Sequence, residues 1–178
     1  MISIVGTLIT DNLTDNFEIP LEITTAFFSV TLALTFTFWY ISEKTLSIHS
    51  IFTLKRELFY WVTILFTFAL GTAAGDLTSE SLEWGYVISG MIYGGLIALI
   101  IAIYYFFKAN SILMFWSAYI LTRPFGASFG DYLSQSKKHG GLGLGTINTS
   151  IVFLVIILIL VTFLSFRKGK ETMNSTSI

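Results

Sequence analysis

Three aspartates end the same short pattern. GTLITD at residues 6–11, GTAAGD at 71–76 and GASFGD at 126–131 each read small-x-x-x-small-acid, with Thr10 in place of the second glycine in the first. A carboxylate that closes an apolar run can carry a proton, hold a hard cation or pair with a buried base. Asp11, Asp76 and Asp131 are therefore the first candidates for a solute pathway or for buried ion pairs. Asp15 lies one turn beyond Asp11, with Asn12 and Asn16 beside them. Four oxygen-bearing side chains this close suit either a cation entrance or a solvated helix end.

Arg123 carries the opposite charge. It sits about a dozen residues into an apolar stretch, near mid-membrane at about 1.5 Å rise per residue, where an arginine costs about 2.5–3.5 kcal/mol on insertion scales. Asp131 on the same helix is about 12 Å away along the axis, too far for contact. A partner on another helix, such as Asp76 or Asp11, is expected; contact with an anion or substrate, or snorkelling to a surface, are the alternatives. Pro124 follows directly, removing a backbone donor and freeing a carbonyl near the charge.

The elements that hold these groups are apolar throughout. Of 178 residues, 54% are hydrophobic and 12% charged, against roughly 25% charged in a soluble domain, and the mean hydropathy is +0.77. Five windows reach the roughly 20 residues that cross a bilayer as helix: 22–41, 58–78, 87–107, 111–132 and 146–166. A soluble chain of this size could not cover all five. The absence of cysteine excludes disulfides and thiol chemistry. A formal net charge of −1, with no basic stripe, argues against a nucleic-acid partner. His49 and His139 share no ligand spacing, and GGLGLG at 140–145 reads as a flexible loop because no strand-helix context surrounds it. No metal, cofactor or catalytic constellation emerges, so no enzyme is expected.

The motifs belong to a longer repeat. WVTILFTFALGTAAGD and WSAYILTRPFGASFGD both place a tryptophan, Trp61 or Trp116, fifteen residues before the acid. On a helix, Trp116, Arg123, Gly126, Ala127, Gly130 and Asp131 fall within an arc of about 140°. Small residues on such a face let helix backbones approach closely, which makes Gly71, Gly75, Gly126, Gly130, Trp61 and Trp116 packing candidates. The tryptophan of the first copy would fall before Met1, so the chain reads as beginning part-way through a repeat: either its first helix is shortened or, as expected here, its N-terminus is truncated. Seven basic residues, Lys44, Lys55, Arg56, Lys108, Arg167, Lys168 and Lys170, lie on one set of connections, against Lys137 and Lys138 on the other. That bias places the first set and the C-terminus in the cytoplasm.

VGTLITDNLTDN, TLSIHSI, KRELFYWVTILFTFALGTAAGD and FWSAYILTRPFGASFGDYLSQ with GGLGLGT resemble an uncharacterised bacterial membrane-anchored family of tandem two-helix repeats, each with a characteristic tryptophan. The resemblance covers all but the polar tail and implies four repeats in full-length members. It maps Trp61 and Trp116 onto the repeat tryptophans, and it brings no activity with it. The expected architecture is all-α and integral to the membrane, with about five full transmembrane helices and a partial N-terminal one. Domain 1–166 comprises a partial repeat 1–41 and repeats 58–107 and 113–166, followed by a polar, disordered cytoplasmic tail 167–178. The expected function is that of a small bacterial inner-membrane transporter or channel-like protein for protons, a small cation or a small anion. The alternative is a structural or partner-binding membrane protein; the lipid bilayer and a homo-oligomer are the other expected partners.

Overall fold

Long apolar runs become helices here, some of them started by a polar side-chain cap. The computed structural model describes residues 1–82 and 84–175, with the side chains of Glu80, His139 and 167–175 outside that description. Among the described residues there are six α-helices: α1 (Ile2–Asp11), α2 (Leu21–Glu43), α3 (Leu54–Asp76), α4 (Gly85–Phe107), α5 (Ser111–Ser134) and α6 (Gly145–Ser175). The Thr53 hydroxyl accepts the Arg56 N–H at 3.4 Å to start α3. Asn110 Oδ1 accepts from Ile112 and Leu113 at 3.0 and 3.2 Å to start α5. α2 and α4 stop alike, each on a lysine in the left-handed region, Lys44 at φ 57° and Lys108 at φ 49°.

Among the described residues, four helices are long and apolar enough to cross a membrane: Leu21–Glu43, Leu54–Ser79, Gly85–Phe107 and Gly145–Phe166. α5, expected from its sequence as a fifth full span, has the length at 24 residues but is not among them. The reason is visible in its composition: Ser117, Thr122, Arg123, Pro124, Ser128 and Asp131 dilute its apolar residues. At the other end, α6 continues as helix to Ser175 through most of the segment read as a disordered tail; residues 176–178 lie outside the described residues.

The chain divides into two compact units, Met1–Phe129 and the part from Gly130 onward. In the first, α3 is the central helix, burying Thr63, Ile64, Thr67, Ala69, Gly71, Thr72, Ala73 and Gly75. α2 packs on it through Phe28 against Ala69 and Ala73. A second cluster joins Trp39, Ile64 and Trp116, all at most 5% exposed. Trp39 stacks on Phe59 with ring centres 6.3 Å apart and meets Trp116 edge-on at 5.8 Å. The indole N–H of Trp116 donates to the Leu46 carbonyl at 2.9 Å, tying the connection between α2 and α3 to the cluster. Glu43 takes Lys55 at 3.3 Å and Arg56 at 2.7 Å, while Arg56 also donates to the Ser50 carbonyl at 2.8 Å.

The second unit contains the end of α5, the glycine-rich loop and α6. The N–H groups of Leu142, Gly143 and Leu144 donate to the carbonyls of Tyr132, Gln135 and Leu133 at 2.7, 2.8 and 3.1 Å. The GGLGLG stretch is thus an ordered cap on α5, in place of the flexible loop expected. Gly143, at φ +78°, takes a conformation that side-chain-bearing residues rarely adopt.

The duplication extends to a local distortion. After α1 and after α3 the helix widens into a π-turn, at Asn12–Asn16 and Leu77–Ser81, each directly following the motif acid. In both, a hydroxyl four residues on returns to the carbonyl of the second small residue: Thr14 to Thr10 at 3.1 Å and Ser79 to Gly75 at 2.7 Å. Such turns loosen the carbonyl ladder and are frequent at functional sites.

Candidate functional site

The site grows from one close packing contact. Gly71 on α3 faces α5 so tightly that a Cβ there would run into Cβ and Cγ of Arg123 and approach Pro124 Cδ to 3.3 Å. Gly75, one turn on, lies in ordinary contact with Pro124 and Ala127. With its stem fixed, the Arg123 guanidinium extends toward α1. Its Nη2 donates to the Thr7 hydroxyl at 2.6 Å and to the Thr72 hydroxyl at 3.3 Å, and the two hydroxyls are themselves 3.3 Å apart. The guanidinium carbon stands 5.3 Å from the centre of the Phe68 ring, within cation–π range.

Two cavities adjoin this group. One, of about 210 Å³, is lined by Thr67, Phe68, Tyr119, Thr122, Arg123 and Gly126. The other, of about 310 Å³, is lined by Ser3, Ile4, Thr7, Leu8, Phe68 and Arg123. Arg123 and Phe68 border both, so the cation–π pair stands between them. A space with one cation, several hydroxyls and apolar walls is chemically suited to a small solute that accepts hydrogen bonds.

The acids are distributed unequally. Asp11, at the end of α1, is close enough to Asp15 and Arg123 to feel both charges. Burial pushes its carboxyl above the ordinary range, Asp15 adds to that, and Arg123 opposes it. Asp76, at the end of α3, is near enough to Tyr93 of α4 to act on it electrostatically. Tyr93 itself donates to the Ala74 carbonyl at 2.9 Å and shares a 3.2 Å hydrogen bond with Thr78. Asp131 belongs to the second unit. Among the described residues, no group of three or more His, Cys, Asp or Glu is placed to hold a metal.

The packing candidates also separate. Trp116 is 3% exposed, whereas Trp61, its counterpart in the repeat, is 42% exposed and donates its indole N–H to Glu57 at 3.2 Å. Gly71 and Gly75 face α5, but a Cβ at Gly126 or Gly130 would meet nothing within 4 Å. Thr7 and Thr72 were not singled out as partners of Arg123, yet a signal existed. The residue after the first motif glycine is threonine in the first two copies and Ala127 in the copy that carries the arginine.

The chain matches the family model described as a Repeat of Unknown Function (DUF347) three times, over residues 1–45, 59–110 and 114–170. No curated protein and no solved structure matches it.

Proposed function

The chain belongs to the DUF347 repeat family, and on that premise we propose that it is a small transporter or channel-like protein of the bacterial inner membrane. In this reading α5 is a fifth span whose polar face turns inward, and the C-terminus is cytoplasmic, in keeping with the basic residues on that set of connections. The solute path runs between α1, α3 and α5, past Arg123, Thr7 and Thr72, with Asp11 and Asp15 at its acidic end. The observation that carries it is the Arg123 guanidinium shared between two threonine hydroxyls and bordered by two cavities. An arginine near mid-span is expensive and marks polar pathways, and sites between repeats are common in transporters. The fork of donors on the guanidinium favours a small anion over a proton or a metal cation.

A structural reading has its own support, because the Arg123 stem is seated on Gly71 and Pro124 packs on Gly75. Flux in proteoliposomes decides between the two. With indicators for small anions, protons and monovalent and divalent cations, saturable anion flux that is lost in Arg123→Leu and reduced in Thr72→Val supports transport. No flux of any solute from folded protein transfers the weight to a structural or partner-binding role. Cation flux lost in Asp11→Asn with Arg123→Leu unaffected overturns the choice of anion.

A further inference from the structure

The same helix contact occurs twice in register. Gly6 of α1 packs against α3 so closely that a Cβ there would lie 2.7 Å from the Leu65 carbonyl oxygen, 3.0 Å from Phe68 Cβ and 3.2 Å from the Ala69 N. Gly71 of α3 packs in the same manner against Arg123 and Pro124 of α5. Aligning the motif acids makes Gly6 equivalent to Gly71, and Phe68–Ala69 equivalent to Arg123–Pro124. Each copy thus presents its first motif glycine to the next copy, three residues or two before that copy's own glycine. The same register assigns Gly126 of α5 to Ser3–Ile4 of α1, a pairing not made among the described residues.

Both halves of that pairing are open. Gly126 and Thr122 are exposed, and Ile4 is 60% exposed. The two cavities that border Arg123 are edged by these same faces: Thr122 and Gly126 on one, Ser3 and Ile4 on the other. Left against acyl chains, a guanidinium-lined cavity is costly; a helix laid over it removes that cost.

We propose that Gly126 on α5 of one copy docks on Ser3–Ile4 on α1 of a second copy, continuing the α1-on-α3 and α3-on-α5 series between chains. The contact is heterologous, so it closes a ring where the rotation between copies allows and otherwise continues from copy to copy. It stands whether or not the cavities carry solute.

The lack of cysteine makes the test direct. Gly126→Cys and Ile4→Cys are prepared separately and oxidised in membranes, each alone and then co-expressed. The expected result is a disulfide-linked dimer from the co-expressed pair and none from either variant alone. A Thr7→Cys/Thr72→Cys chain, whose hydroxyls are 3.3 Å apart, serves as the intrachain positive control. The mass of the unsubstituted protein in mild detergent is the second measurement and decides the matter if the variants do not accumulate. An oligomeric mass with the mixed crosslink supports the proposal. A monomer, or crosslinks between identical variants only, overturns it.

Discussion

Gly71→Ala tests the closest contact in the Met1–Phe129 unit, and its sign depends on geometry alone. In an open helix the change should help, since alanine is favoured over glycine by about 1 kcal/mol. At Gly71 the new methyl collides with the first two carbons of the Arg123 side chain, next to the backbone, and comes within 3.3 Å of the Pro124 ring. Neither can swing aside as a chain end could, so α3 and α5 must separate. Overpacking of this kind costs about 1–3 kcal/mol. Subtracting the helix gain leaves a net loss of about 1 kcal/mol, and the 2.6 Å bond from Arg123 to Thr7 stretches with it. Gly95 on α4 is the matched control, because a Cβ there meets nothing within 4 Å. Unfolding in mixed micelles should therefore show Gly95→Ala as stable as the parent or more so, and Gly71→Ala less stable. Equal stability of the two variants would refute the packing of α3 on α5 described above.

Three further outcomes are expected. Trp116→Phe leaves the Leu46 carbonyl without its 2.9 Å donor and should cost about 1–3 kcal/mol, whereas Trp61→Phe, at an exposed position, should stay within about 0.5 kcal/mol; the same unfolding assay reads both. Glu43→Gln weakens the joint clasp on Lys55 and Arg56, and limited proteolysis should find the connection at 44–53 cut faster. For Asp11 the carboxyl is raised by burial, so the folded state binds its proton more tightly than the unfolded state. That contribution is neutral below the ordinary carboxylate range and becomes a penalty as pH rises through the raised one. Asp11→Asn should accordingly gain stability near neutral pH and flatten the profile measured between acid and neutral pH.

Much of the fold is legible because duplication writes it twice. The apolar windows at 22–41, 58–78 and 87–107 fall inside α2, the Leu54–Ser79 span and α4, since each is a long apolar run bounded by polar or charged residues in the connections. The window at 111–132 shows where composition and geometry part: α5 is continuous helix, but the residues that make it mechanically interesting are those that lower its apolar character. The partners of Arg123 were not legible for a related reason. A buried arginine suggests a carboxylate, and the eye goes to the motif aspartates; threonine is common in apolar helices because its hydroxyl can return to its own backbone, as Thr67 does to Thr63 at 2.7 Å. Thr7 and Thr72 look the same on paper, and Thr72 does return to the Phe68 carbonyl at 3.0 Å; only the approach of α1 and α5 on α3 brings the guanidinium to both hydroxyls.

That asymmetry also says why the repeat copies have diverged where they have. The contact register is retained from Gly6 to Gly71, so the backbone arrangement is held by small residues that tolerate no side chain. The positions that receive those glycines are freer: Phe68–Ala69 in one copy and Arg123–Pro124 in the next. A duplicated bundle can therefore change the chemistry at its centre without changing its packing, by altering only the receiving pair. Here the change puts one cation beside two hydroxyls supplied by the other copies. If that is the origin of the site, Arg123→Phe with Pro124→Ala, which restores the pair of the earlier copy, should keep the fold and oligomeric mass while abolishing anion flux. A double variant that still conducts would place the function elsewhere in the bundle.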